Sequence, residues 1–171
     1  MGWTADSGAA PEDKCIILGA PHTSMWDFVV SYLFYTSTGT KAYVMVKDSF
    51  FKGPLKPIMK ALGGIPMDRR NPTGSVKKII DGMKEGQKFQ LSMAPEGTRK
   101  PIRKWKTGYH VIARNIGCPV YLGYFDWGTK HIGIGEKFEL TDDAKADTAK
   151  IQQLYKAKGY VGKHPEKYVT E

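Results

Sequence analysis

The chain has 171 residues, 41% of them apolar and 25% charged, which is the balance of a folded globular domain and excludes a disordered chain. Lys and Arg number 26 against 17 Asp and Glu, and the net charge of +9 points to an anionic partner: nucleic acid, a phosphate-bearing substrate or a membrane surface. The length suffices for one core without disulfides, so Cys15 and Cys118 read as buried thiols. No CxxC pair occurs and the four histidines never fall four apart, which argues against a zinc site.

Residues 1–14 are small and polar, without the basic start and apolar run of a signal peptide, and read as a segment ahead of one domain at 15–171. Residues 15–18 form an apolar run of strand length. A loop follows, with Thr23 or Ser24 expected to cap a helix that carries Asp27 in its first turns. The longest apolar run, residues 28–35, falls well short of the roughly 20 residues that span a bilayer. Residues 42–46 are a second strand. Leu55, Ile58, Met59 and Leu62 then repeat with helical spacing between Lys52, Lys56 and Lys60. That pattern suits a basic amphipathic helix lying on anionic lipid, or a stripe packed on the sheet.

Residues 64–67 are a short strand. Asn71 and Pro72 supply a cap and a first-turn proline for a helix with Val76, Ile79, Ile80 and Met83 on one face, stopped at Gly86. Strand 89–93, a helix from Thr107 to Gly117, strand 119–122 and a helix after Asp142 complete the series. The alternation predicts a single α/β domain with a mixed, mostly parallel sheet flanked by helices.

Open α/β sheets bind ligands beyond the carboxyl ends of their strands. The residues found there are His22 to Asp27, Asp68-Arg69-Arg70 and Pro95-Glu96-Gly97-Thr98-Arg99. A loop histidine followed by Asp27 in a first helical turn can form a pair in which the carboxylate fixes the imidazole tautomer, as a general base requires. There is no G-x-S-x-G elbow, P-loop or G-x-G-x-x-G. A base without a protein nucleophile, beside arginines suited to phosphate, favours transfer onto a phosphorylated alcohol.

These residues resemble a family. His22-Thr-Ser-Met-Trp-Asp27 matches the H-x4-D motif of the glycerolipid acyltransferases, the family of 1-acylglycerol-3-phosphate acyltransferase. Gly64-Ile-Pro-Met-Asp-Arg69 is similar to its second motif, Pro95-Glu-Gly-Thr-Arg99 to its third and Cys118-Pro-Val120 to its fourth, in the family's order. The resemblance implies a glycerol-3-phosphate acyltransferase-like fold. It also implies His22 as the base that deprotonates an acceptor hydroxyl, and Asp27 as its orienting partner. Arg69, Glu96, Gly97, Thr98 and Arg99 would form the acceptor site, with Lys47 as a further phosphate ligand. No cofactor is implied; acyl-CoA or acyl-carrier protein is the donor substrate, and the acceptor is a glycerophosphate or lysophospholipid, lysophosphatidate by default.

The sequence departs from the family at Pro21, Pro66, Ala94 and Lys100, which bears on the acceptor more than on the chemistry. A peripheral protein at the cytoplasmic face of an anionic membrane is expected. Beside the 55–62 stripe, the basic loop 100–106 offers Trp105 to the interface. The basic residues are spread and no nucleic-acid module appears, so no nucleic-acid partner is expected. A non-catalytic lipid-binding protein on the same fold and an acyl-thioester hydrolase are the rival readings.

Overall fold

In the computed structural model, which describes residues 2–169, a seven-stranded sheet runs through the molecule. In chain order the strands are β1 (Thr4–Ala5), β2 (Lys14–Ala20), β3 (Ala42–Lys47), β4 (Gly64–Met67), β5 (Phe89–Met93), β6 (Val120–Asp126) and β7 (His131–Phe138). The helices are α1 (Trp26–Ser37), α2 (Leu55–Ala61), α3 (Pro72–Glu85), α4 (Gly108–Ile116) and α5 (Ala144–Lys158). The spatial order is β1-β7-β6-β2-β5-β3-β4, parallel throughout except for the antiparallel β6–β7 pair. The predicted mixed, mostly parallel α/β sheet is what forms.

β2 lies inside the sheet between β5 and β6, and its pleat splits one apolar run between two cores. Cys15 and Ile17 meet Val30, Phe34 and Tyr35 of α1 on one face. Ile16 and Leu18 meet Ile79 and Met83 of α3, Tyr109 and Ile112 of α4 and Ile151 and Tyr155 of α5 on the other. Three helices therefore cover one face, and α1 is the helix on the opposite face. Burial pushes the free thiols of Cys15 and Cys118 up to about 12 and about 11, so neither ionises near neutral pH.

The caps formed as their chemistry dictates. Asn71 Oδ1 accepts from Gly74 N–H at 2.9 Å with Pro72 opening α3, and Asp143 Oδ1 accepts from the Lys145 and Ala146 N–H groups at the start of α5. Gly117, at φ +70°, ends α4 in the left-handed conformation.

Three expectations change. Residues 1–14, expected as a polar segment ahead of the domain, contribute β1 to the sheet edge beside β7 and bury Ala10 in the core under α1. Trp105, expected at a membrane interface, is 3% exposed and packs against Tyr155 and Tyr168, because the loop carrying it folds over the α5 side of the sheet. Met25, and neither Thr23 nor Ser24, occupies the cap position of α1, without a side-chain cap bond. Among the described residues, no helix is long and apolar enough to cross a membrane.

Candidate active site

β2 ends at Ala20, and the chain passes a cis Ala20–Pro21 peptide into the loop that holds His22. Asp27 lies in the first turn of α1, where the helix dipole favours a negative charge, and its carboxylate turns back over this loop. Its Oδ2 accepts from the N–H groups of Thr23 and Ser24, both at 2.8 Å, and lies 3.1 Å from His22 Nδ1. The aspartate thus ties down the loop ahead of α1, while the Trp26 N–H at the start of the helix donates to Ser24 Oγ at 3.2 Å. With Nδ1–H donating to Asp27, His22 Nε2 carries the free lone pair. Asp27 is 1% exposed, whereas a quarter of the His22 side chain reaches solvent.

The second oxygen, Asp27 Oδ1, accepts from Trp127 Nε1 at 2.7 Å. Four donors thus converge on one buried carboxylate, which matches its acceptor capacity. Trp127 follows β6, so it enters the site from the same sheet edge. The apolar run 119–122 ends four residues before β6 does, at Asp126, so the strand ends visible in the sequence do not include Trp127. Trp127 is the first residue beyond the carboxyl end of the full β6. Replacing Trp127 with Phe removes one hydrogen bond to a charged group, worth about 1.5–3 kcal/mol. A fall in turnover of about 10-fold or more is expected, and an unchanged kcat would remove Trp127 from the support of Asp27.

Glu96 is turned inwards. Its Oε1 accepts from the His22 backbone N–H at 2.8 Å and the residue is 4% exposed, so it braces the histidine loop from beneath. Burial pushes its carboxyl up to about 7, against the opposing pull of the His22 N–H. The folded state therefore holds this proton more tightly than the unfolded chain, whose ordinary value is 4.5. The resulting stabilisation is complete below 4.5 and is lost as pH rises through about 7. Glu96→Gln keeps an acceptor for the His22 N–H and has no proton to lose. Its stability relative to the parent is expected to rise between about pH 5 and about pH 8, as read by urea unfolding. A difference that stays flat across that range would contradict the assignment.

The remaining predicted residues line the same edge. Gly97 has φ +65°, a left-handed turn that a side chain at this position would strain. Its carbonyl accepts from Arg69 Nη2 at 3.3 Å, which joins the loop after β4 to the loop after β5. Thr98 Oγ1 accepts from Lys100 N–H, while Arg99 is exposed. Lys47 ends β3 in register with Met67 of β4 and is exposed, two residues in register from Arg69. The structure thus brings His22, Asp27 and Glu96 into direct contact and joins Arg69 to Gly97. Lys47, Thr98 and Arg99 share the edge without bonds to the histidine. Among the described residues, no group of three or more His, Cys, Asp or Glu side chains is placed to hold a metal.

A sequence model of the acyltransferase family matches residues 6–122. The chain belongs to the acyltransferase family. Among solved structures it is similar in fold to the 1-acyl-sn-glycerophosphate (LPA) acyltransferase PlsC from Thermotoga maritima, with a TM-score of 0.60 and 19% identity. That likeness covers 90% of this chain and 70% of the other. No curated protein sequence matches the chain. The acyltransferase match contains His22, Asp27, Lys47, Arg69 and Glu96 to Arg99, and stops short of Trp127.

The C-terminal segment of this acyltransferase, beyond the matched residues, also braces the histidine loop. His164 N–H donates to Thr23 Oγ1 at 3.1 Å, and Trp127 N–H donates to the Val161 carbonyl at 2.8 Å. Gly162 permits this approach, since a Cβ there would stand 2.7 Å from Thr23 Cγ2.

Proposed function

We propose that this acyltransferase moves a fatty acyl group from the thioester of acyl-CoA or acyl-carrier protein to the hydroxyl of a glycerophosphate or lysophospholipid. Lysophosphatidate is the default acceptor, and the fold neighbour's identity as an LPA acyltransferase favours it. The observation that carries the reading is the juxtaposition of a tautomer-fixed His22 with the loops bearing Arg69 and Arg99 at one sheet edge. His22 Nε2 removes the hydroxyl proton as the oxygen attacks the thioester carbonyl. The tetrahedral intermediate collapses by breaking the C–S bond, and the imidazolium returns the proton to the departing thiolate. Asp27 keeps the imidazole oriented and stabilises the imidazolium.

Arg69, Arg99 and Lys47 hold the acceptor phosphate, and Gly97 and Thr98 shape the loop beneath it. Glu96 serves the site by holding the His22 loop. The protein works peripherally, at the cytoplasmic face of a membrane. The test offers radiolabelled acyl-CoA or acyl-carrier protein with lysophosphatidate, glycerol 3-phosphate or a lyso-aminolipid, alongside His22→Ala. A labelled lipid that disappears in the variant is expected. Labelled free fatty acid in its place would transfer the site to a thioester hydrolase, and no product from any pair would leave a lipid-binding protein.

A further inference from the structure

Helix α1 is apolar on all sides but buries only one. Val30 and Phe34 enter the core with Asp27, while Met25 at the cap and Trp26, Val29, Tyr32 and Leu33 on the helix are between 36% and 49% exposed. On the helix the exposed apolar stripe runs from Trp26 to Leu33, about 10 Å, and the last turn exposes Thr36 and Ser37. The helix's one charged side chain, Asp27, is buried beneath it. On a chain that is 25% charged, such an uninterrupted face marks a contact surface.

Its rim is cationic and aromatic. Lys163 Nζ lies 5.0 Å from the centroid of the Trp26 ring and 4.6 Å from that of Trp127, and Lys130 Nζ lies 4.5 Å from Trp127 on its own side. An ammonium held over ring faces keeps donors for an anionic headgroup, and tryptophan favours the boundary between headgroup and acyl chain. A second copy of this chain would bring another +9 charge to the same rim, whereas an anionic bilayer complements it. We propose that the outer face of α1, with Trp26 and Lys163 at its rim, docks this protein on an anionic lipid bilayer and opens the His22 loop towards it.

The purpose of docking rests on the acyl-transfer reading, but the surface does not. Only three residues separate His22 from Trp26, so docking through α1 presents the histidine loop where a lipid acceptor emerges. α2, which the sequence pattern favoured, is a weaker surface. It has seven residues, and its well-exposed apolar side chains are Leu55 and Ile58, at 46% and 51%.

The test is flotation of the full chain with phosphatidylglycerol–phosphatidylcholine vesicles and with phosphatidylcholine alone, at low and high salt. The parent is expected to float with the anionic vesicles and to retain a fraction in high salt, the part that apolar insertion supplies. Val29→Ser with Leu33→Ser leaves the charge unchanged and removes exposed apolar side chains, so partitioning is expected to fall by about 10-fold or more. Lys163→Gln should lower binding at low salt by about 5-fold. Leu55→Ser with Ile58→Ser, and Val111→Ser on the opposite layer, should leave binding near the parent's, with circular dichroism melts establishing that each variant folds.

Parent-like flotation of the α1 pair would overturn the proposal. So would a parent that ignores vesicles and forms a dimer in sedimentation that the α1 pair abolishes. The vesicles contain neither acceptor nor thioester, so a failed transfer assay leaves this result standing. A failed flotation, conversely, leaves transfer onto water-soluble glycerol 3-phosphate measurable.

Discussion

Replacing His22 with alanine is expected to lower acyl transfer by about 10²–10⁴-fold, the contribution of a positioned general base, while the chain still folds. The imidazole is a partly exposed group whose Nε2 carries a free lone pair when Nδ1–H donates to Asp27. Its loss leaves the Asp27 carboxylate with the Thr23, Ser24 and Trp127 donors, so the carboxylate stays satisfied. The cost in stability should therefore be about 1.5–3 kcal/mol, that of one hydrogen bond to a charged group. Steady-state rates with the acceptor identified by product analysis, read beside a urea unfolding curve, check both halves. A parent-like rate would take His22 out of the chemistry.

Asp27→Asn should damage activity and stability together. Four donors meet one carboxylate that is 1% exposed, and an amide offers one oxygen where the acid offers two. The amide nitrogen must then face N–H groups, and at least one buried donor goes unpaired, at a cost of about 1–3 kcal/mol. The imidazole also loses the charge that selects its tautomer and supports its protonated form, which is expected to lower turnover by about 10³–10⁴-fold. The contrast between the two variants is the sharper measurement: comparable loss of rate, with the larger drop in the unfolding midpoint for Asp27→Asn, which weakens the bonds of all four donors. A stable asparagine variant with normal turnover would separate Asp27 from His22.

The elements legible in the sequence are those whose signals are local. α3 carries a capping residue, Asn71, whose bond closes within three residues, and Gly86 and Gly117 stop α3 and α4 through their own backbone conformations. β2 reads as a short, largely apolar run because both of its faces are buried, and β5 as Phe89, Leu91 and Met93 alternating with Gln90 and Ser92. β7 was not legible: Gly133 and Gly135 interrupt its pattern, and its hydrogen bonds come from β6 across the turn. β1 has two residues and exists only because β7 offers an edge beside it.

The site divides along the same line. The spacing of His22 and Asp27 was visible because the loop and the first turn of α1 bring them together within five residues, and the loops bearing Arg69 and Glu96 were visible as strand ends. Which way each side chain turns was not. Glu96 faces the His22 backbone 74 residues away, Trp127 reaches Asp27 across 100 residues, and Trp105 is drawn into the core. α1 is the clearest case, since its all-round apolar sequence reads as a buried helix, and only the layering, with three helices on the other face, leaves its outer side exposed. The sequence by itself determined the order from β2 to β6 with the helices between, the cap of α3 and the candidate base with its partner, because these depend on interactions between near neighbours. The tertiary structure decided which polar groups brace that base and which apolar face meets solvent, because burial and long-range donors arise only when distant segments pack.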